Sequence, residues 1–551
     1  MNIVYQLFEK YIYENKLSFT IIIAFSLIIN FLQTKVIAQT TASIFDAIEK
    51  NRISIVFDYM YYFIGITILY LAITYTNEFF EIETLTKLVQ WMRRELLNFI
   101  ILSNNEELTN LDTIKYNSPI NRISYGAFIF LNQFISSILP NITFVVIVTG
   151  YFLYTNITLG ITFLIANIIM FAYAYITQEP LLKYKVDYED SSNVNESYAL
   201  DIFNNFDRII SRGQSNHEID AYRLQSDDTI YKSKQFFEQV HINTSIMTSF
   251  IYIVILGCLY YLVTLKRDNK LDTKTFISLF TIMLMYRDRF SALLATIPTY
   301  IDMNGRIEYA TNSMKDLKHD YYSNPDEYKY TPTVLSFDRI DFKGVYYKYK
   351  ASEKYLLEDL NMKIVPSHNI VGITGLSGRG KSTVMKLLLR LYPVEKGAIM
   401  IDGKDIKTLD PIYIRQNITY INQSAKLFNK KIIENMMYGC NSAPECKKYL
   451  EMILEYPKIK HLYANVDLIN GASGSLGENL SGGQRQIINI ISGLINPSPI
   501  LVLDEPTNAL DAELKSELLS IIDRFREYKK CIIIITHDRD VYPLFDQRIN
   551  L

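Results

Sequence analysis

The chain is 551 residues long, more than one hydrophobic core usually supports, so two or more domains are expected. A formal net charge of −2 gives no bulk basic surface for nucleic acid, and no nucleic-acid partner is expected. The cysteines Cys258, Cys440, Cys446 and Cys531 lack metal-ligand spacing; Cys440 and Cys446 have no second pair to match, and reduced thiols are expected.

Residues 1–16 mix Phe8, Tyr11 and Tyr13 with Glu9, Lys10, Glu14 and Lys16, the pattern of a short amphipathic helix at a membrane surface. No cleavable signal peptide is evident, because the next apolar run is too long for one. Apolar stretches able to cross about 30 Å of hydrocarbon follow at Leu17–Ala38, Ile55–Asn77, Ala127–Tyr151, Leu159–Thr177, Ile246–Leu265 and Phe276–Ile301. Short loops alternate with the long polar connections 78–126 and 178–245, where helical patterning continues unbroken. Helices two to five are therefore expected to project well beyond the bilayer on one side. Lys87, Arg93, Arg94, Lys115 and Arg122 in one connection, and Lys183, Lys185, Arg208, Arg212 and Arg223 in the other, favour the cytosol for that side. The loop Lys266–Lys274 is also basic and falls outside, against this trend. Asn156-Ile-Thr resembles a glycosylation acceptor but has too little room between two spans, and is read as chance.

The sixth stretch holds Arg287-Asp288-Arg289 past its middle, where a charge facing lipid is costly. Three and four residues away the helix offers Asp288 only Met285, Leu284, Ser291 and Ala292, so a partner is expected from another helix, from water or from a substrate. In one reading Asp288 pairs with an arginine of a neighbouring helix or of a second chain. In the other, Arg287 or Arg289, about 200° apart on the helix, lines a translocation cavity and selects an anionic or amphipathic substrate.

Residues 316–335 are polar and broken by Pro325 and Pro332, as in a linker. From Ile340 short strands alternate with helices, an α/β arrangement. Ile370–Thr374 reads as a buried strand and Val384–Leu391 as a helix. Between them Gly375-Leu-Ser377-Gly378-Arg379-Gly380-Lys381-Ser382-Thr383 matches a phosphate-binding loop. Gly375, Gly378 and Gly380 permit backbone angles and close approaches that a Cβ forbids, so successive amides and a helix N-terminus face phosphates. Lys381 supplies a charge toward the outer phosphates and the Ser382 hydroxyl a ligand for Mg²⁺. A nucleoside triphosphate is the expected ligand.

Pro499-Ile-Leu-Val-Leu-Asp504-Glu505 reads as a central strand buried on both faces. It delivers Asp504 toward Mg²⁺ and Glu505 toward an attacking water. Leu480-Ser481-Gly482-Gly483-Gln484-Arg485 reads as a capped helix start with anion-binding potential, ahead of the helix Gln486–Ile495.

In this order the motifs closely resemble the ATP-binding cassette (ABC) transporters, with Leu480–Gln484 as that family's signature sequence. The resemblance assigns Tyr349 to stacking on adenine and Gln423 to sensing the γ-phosphate and binding metal. It makes Ala509-Leu510-Asp511 the loop between cassettes and His537 the switch histidine. It covers the whole chain and implies an exporter-type half-transporter. The expected architecture is an all-α six-helix transmembrane domain (1–315), a linker (316–335) and an α/β P-loop ATPase domain (336–551) in the cytosol. It further implies ATP and Mg²⁺, a bilayer, and a dimer, either a homodimer or a pairing with a paralogous half-transporter. Each ATP would lie between one chain's phosphate loop and Ser481, Gly482, Gly483 and Gln484 of the other. Polar turns near Leu111–Asn117 and Arg208–Asn216 would couple the domains. The substrate, whether small molecule, lipid or peptide, is not specified. An ATP-gated channel or regulator, and an importer on the exporter fold, stand as alternatives.

Three departures from the family pattern stand out. Ser367-His368-Asn369 replaces a glycine turn, and Gly474–Asn479 is a compressed form of the acidic loop before the signature. The chain stops soon after His537 without the usual final hairpin and helix, which is expected to leave a strand edge exposed or loosen the dimer.

Overall fold

The computed structural model describes residues 3–103, 113–312, 333–349, 352–367, 369–376, 378–423, 426–440 and 444–551. The chain divides into a helical unit, Met1–Ile100 with Leu111–His319, and a mixed unit, Asp320–Leu551 with Ile101–Asn110. The expected linker lies, except for residues 333–335, outside the described residues.

The helical unit opens with α1 (Ile3–Glu14), whose Val4, Leu7 and Tyr11 are buried; the Tyr11 hydroxyl donates to the Thr84 carbonyl. α2 (Lys16–Phe31) runs through a π-helical turn, Leu32–Ile37, into α3 (Ala38–Glu49). α4 (Ile53–Ser103) and α5 (Thr113–Gln133) follow, then a second π-helical turn, Phe134–Ile138, and α6 (Leu139–Thr155). α7 (Ile157–Asn204), α8 (Phe206–Ser211), α9 (Ser215–Arg267) and α10 (Thr273–Asn312) complete the unit. Asn156 has a local reason to be where it is: its side chain caps α7 by accepting from the Leu159 amide at 3.1 Å.

Among the described residues five stretches are long and apolar enough to cross a membrane: Lys16–Glu49, Ile53–Ile101, Pro119–Thr155, Ile157–Asn204 and Ser215–Arg267. The sixth expected span is a helix of sufficient length, α10 at 40 residues, but it falls short on composition. The charged triplet Arg287–Arg289 interrupts its apolar run. α4, α7 and α9, of 51, 48 and 53 residues, reach about 70–80 Å each, so they extend far past any hydrocarbon core. α8 supplies the turn expected near Arg208–Asn216. Of the other expected turn, Leu111 and Asp112 lie outside the described residues and α5 starts at Thr113.

A buried ion network ties the extension of α7 to α5 and α10. Lys185, fully buried on α7, pairs with Glu189 at 2.6 Å and with Asp302 of α10 at 2.5 Å. Arg122 of α5 reaches Glu189 at 2.8 Å, and Arg306 pairs with Asp302 at 3.0 Å. Buried charges persist only when paired this fully. The lysine stem fits because residue 305 is glycine: a Cβ there would lie 2.3 Å from Lys185 Cγ and 3.1 Å from its Cβ. Gly305→Ala should therefore cost about 1–3 kcal/mol through overpacking. The check is the thermal unfolding midpoint of the purified chain, which should fall.

The mixed unit holds two sheets. β1 (Ile340–Tyr347), β2 (Leu357–Ile364), β4 (Lys396–Ile401) and β5 (Lys404–Asp405) form an antiparallel one in the order β2-β1-β4-β5. β3 (Asn369–Thr374), β6 (Ile418–Ile421), β7 (Ile500–Asp504), β8 (Cys531–Ile535) and β9 (Gln547–Asn550) form a parallel one in the order β6-β7-β8-β3-β9. Every residue of β7 and β8 is buried, as expected of central strands covered on both faces. Three helices bear on the site: α11 (Lys381–Leu388), α12 (Gly482–Ile495) and α13 (Ala512–Phe525). α11 ends earlier than the sequence pattern suggests, because Arg390 turns into the left-handed region at φ 52°.

Several expectations change. β9 pairs along β3 from Val371–Gln547 to Thr374–Asn550 and is itself the edge strand on that side of the sheet. The glycine-free turn before β3 is closed by Asn369, whose amide donates to the Val365 carbonyl at 3.1 Å and whose Oδ1 accepts from the Ser367 amide; His368 lies outside the described residues. Cys440 and Cys446 are not reduced thiols: they form a disulfide, because the helix Pro444–Leu454 brings the second cysteine back to the first. Cys258 and Cys531 are free and buried, and burial, then Asp546, pushes the Cys531 thiol up to about 12.

Candidate functional site: a phosphate loop and its carboxylates

The parallel register brings the chemistry to one edge. Ile373 and Asp504 both pair with Ile535, and Ile421 with Leu503, so β3, β6, β7 and β8 end together. The loops leaving these ends carry the candidate residues, the usual place for a ligand in an open α/β sheet.

From β3 the chain enters the phosphate loop. Gly375, Gly378 and Gly380 have φ of 147°, 84° and 88°, angles that disfavour any side chain. A Cβ at Gly375 would also lie 2.5 Å from the Leu551 carbonyl oxygen. Gly380 turns the chain into α11, so the helix N-terminus faces back across the loop. Lys381 Nζ donates to the carbonyls of Gly375 and Leu376, both at 3.1 Å, folding the ammonium over the loop. Arg379 is exposed, and Ser377 lies outside the described residues. Tyr349 is 37 % exposed beside α11; its hydroxyl shares a 2.8 Å hydrogen bond with Thr383, and its ring meets Tyr347 and Tyr392 edge-on.

The carboxylates follow β7. Asp504, buried, accepts from the Tyr420 hydroxyl at 2.6 Å, and the same hydroxyl hydrogen-bonds Ser382. Burial, then the bond to Asp504, holds the Tyr420 phenol above its usual range, so it stays a donor. Ser382 and Asp504 thus face one point, as two ligands of a single small cation would. Glu505 adopts φ 49°, a strained angle for a non-glycine residue. Its amide is anchored to the Ile535 carbonyl at 2.8 Å. Its side chain, largely buried, lies 2.8 Å from His537 Nδ1 and accepts from Thr536 at 3.2 Å. Below it, Asp538 accepts from Thr507 and pairs with Lys515 at 2.5 Å. Burial opposes the charge on Asp538, but Lys515 and the other hydrogen bonds outweigh it and leave the carboxyl below its usual range.

The signature helix α12 begins with a capping box: Ser481 accepts from the Gln484 amide at 3.2 Å and Gln484 Oε1 accepts from the Ser481 amide at 2.9 Å. Ser481 and Gly482 are exposed, and the hydroxyl hydrogen of Ser481 remains available. Gly483 packs on Ala509, within 3.4 Å of its carbonyl oxygen for an added Cβ. Among the described residues no hydrogen bond joins Ser481, Gly482, Gly483 or Gln484 to the phosphate loop of the same chain.

The site therefore gathers Lys381, Ser382, Asp504, Glu505 and His537 on one edge. Gln423 is not gathered with them; it is exposed just past β6 and makes no side-chain hydrogen bond with a described residue. Sequence reasoning missed Tyr420 and Thr536. Tyr420 stands three residues before Gln423 on a strand beside β7, a position from which pairing register alone indicates proximity to Asp504.

The class this architecture defines is an α/β nucleotide-binding cassette in one chain with a bundle of long apolar helices. A family model described as "ABC transporter" matches residues 357–508, and one described as "ABC transporter transmembrane region" matches residues 17–288. The chain belongs to the ABC transporter family. It is 24% identical over 463 residues to the ATP-dependent lipid A-core flippase of Haemophilus influenzae, covering 82% of this chain and 76% of that protein. It is 35% identical over 204 residues to the mitochondrial ATP-binding cassette sub-family B member 10 of Mus musculus, covering 36% of this chain and 28% of that protein. With that relative and with the Photorhabdus laumondii lipid A-core flippase, the matches span 28% and 33% of the relatives' length. The fold resembles the solved structure of a bacterial Atm1-family ABC exporter with ATP bound, with TM-score 0.80 and 18% identity over 97% of this chain and 93% of that one.

Proposed function

We propose that the chain is one half of an ATP-driven membrane exporter that works as a pair, most simply of identical chains, with its cassette in the cytosol. The observation that carries this reading is the convergence of Lys381, Ser382, Asp504, Glu505 and His537 at one sheet edge, in a chain that also carries membrane-crossing helices.

In this reading the amides of Gly378, Arg379, Gly380, Lys381, Ser382 and Thr383, with Ser377 and the Gly375 turn, wrap the ATP phosphates. Tyr349 stacks on the adenine, held in place by its hydroxyl bond to Thr383. Mg²⁺ suits Ser382 and Asp504, which already converge on one hydroxyl, with Gln423 joining when nucleotide is bound. The ion would neutralise phosphate oxygens as charge shifts onto the leaving group. Glu505 accepts the proton of the attacking water, and His537 fixes the carboxylate's orientation from the exposed side.

Ser481 and Gly482 are turned to solvent, and among the described residues neither they nor Gly483 bond to their own phosphate loop, so in this reading the phosphate they meet is held by a second chain. Binding ATP between two cassettes closes them, and hydrolysis lets them part. Reconstitution into sealed vesicles tests the reading. Mg²⁺-dependent ATP hydrolysis with vectorial movement of a solute out of the cassette side is expected. Hydrolysis with only passive conductance would favour a gated channel, and movement in the opposite direction an importer.

A further inference from the structure

The charged triplet of α10 is split by its surroundings. The buried Tyr286 hydroxyl donates to Asn167 Oδ1 at 2.6 Å. Asn167 lies ten residues into α7, about 15 Å from its start, half the depth of a hydrocarbon core about 30 Å thick. The triplet begins one residue later. Arg287 and Asp288 pair with each other at 2.7 Å, and the Asp288 side chain is 67% exposed on the single chain. The neighbour in sequence, rather than the residues one helical turn away, thus relieves Asp288, and this pair is neutral.

Arg289 points to a different side and is not neutralised. Its guanidinium donates to Gln33 Oε1 and lies 5.8 Å from the centre of the Phe144 ring. It makes no ion pair among the described residues. Composition explains why. No Asp or Glu occurs in residues 15–45, 113–178 or 239–267, which supply the membrane parts of α2, α3, α5, α6, α7 and α9. Asp58 stands five residues into α4, about 8 Å from its start and so close to the membrane edge. A second copy of the chain brings the same Arg, Asp, Arg set, so pairing two chains doubles the positive excess at this depth instead of cancelling it.

The surroundings of Arg289 are also not those of a closed apolar core. Gln33 sits in the π-helical turn Leu32–Ile37, a distortion that recurs at functional sites. Along the same seam the buried Asn30 Oδ1, Thr34 Oγ1 and Asn141 Oδ1 lack hydrogen-bond partners among the described residues. A seam of buried, unpartnered polar atoms beside an uncompensated guanidinium suits a ligand that carries both a negative group and hydrogen-bond donors.

We propose that Arg289, oriented by Gln33, is the anion-binding point of the transport path and takes a carboxylate, sulfate or phosphate group of the transported molecule. This rests on the exporter reading. A guanidinium has five N–H donors in a fork that fits such oxyanions, and the bond to Gln33 uses only part of that capacity.

The test uses the full chain in phosphatidylcholine vesicles without nucleotide and measures equilibrium binding of three probes. Lysophosphatidic acid presents a membrane-borne anion, lysophosphatidylcholine of the same acyl chain a zwitterion, and naphthalene sulfonate a water-soluble anion. At least one anion should bind about tenfold or more tighter than the zwitterion, the scale of a charged hydrogen bond. Which anion prevails tells whether the group arrives from lipid or from water. Arg289→Gln should erase the preference and Arg289→Lys retain part of it. Gln33→Glu supplies an internal counter-charge, so it should also erase the preference, with an unfolding midpoint no lower than that of the unaltered chain. That variant keeps the proposal testable should Arg289→Gln fail to fold. Equal binding of anions and zwitterion by the unaltered chain overturns the proposal, as does a preference that survives Gln33→Glu. ATP hydrolysis by the unaltered chain is measured in parallel. Its absence counts against the exporter reading, whereas anion preference is read without nucleotide and stands or falls separately.

Discussion

Glu505→Gln is expected to lower ATP turnover by about 10²–10⁴-fold, the range of a lost general base, while ATP still binds. The substitution keeps shape and most contacts. Thr536 Oγ1 donates to Glu505 Oε2 at 3.2 Å and can donate equally to an amide oxygen. What is lost is the capacity to accept a proton, together with the charge that meets His537 Nδ1 at 2.8 Å. In the proposed cycle ATP binding closes the paired cassettes and hydrolysis releases them, so the variant should accumulate with nucleotide trapped. Turnover measured beside retention of labelled ATP after gel filtration checks both halves. Undiminished hydrolysis would remove Glu505 from the role, and lost binding would place it in the ground-state site instead.

The second large effect is a complementation. Lys381→Ala removes a cation that stands over the phosphate loop, bonded at 3.1 Å to the Gly375 and Leu376 carbonyls. A charged hydrogen bond is worth about 1.5–3 kcal/mol, so ATP affinity should fall roughly 10–100-fold. Ser481→Arg instead puts a bulky cation at the N-cap of α12, next to the exposed Gly482 and to Gly483. Each variant alone damages both composite sites of a pair. Co-expressed with separate tags, they form mixed pairs in which both lesions share one site and the other site is intact. ATP trapping should reappear in the mixed pairs isolated by both tags. If mixed pairs trap no more than either parent, the two motifs do not meet across chains.

Much of the cassette is legible in the sequence because each motif is a contiguous stretch whose local conformation its own residues dictate. Glycines at 375, 378 and 380 require left-handed or otherwise open angles, and a run such as Ile500–Asp504 is apolar on both faces only if it is central. The apolar stretches are equally plain, since crossing a membrane is a matter of length and composition. What only the tertiary structure decides depends on strand register and helix packing. Tyr420 meets Asp504 and Ser382, and Thr536 meets Glu505, because parallel strands end side by side. Cys440 reaches Cys446 because a helix returns the chain, and Lys185 is buried without protest because Gly305 leaves it room. Asp288 and Arg289, adjacent in sequence, part company for the same reason. A helix turns about 100° per residue, so one side chain meets Arg287 in the open while the other meets Gln33 of a neighbouring helix, and no spacing rule within a single helix reveals which.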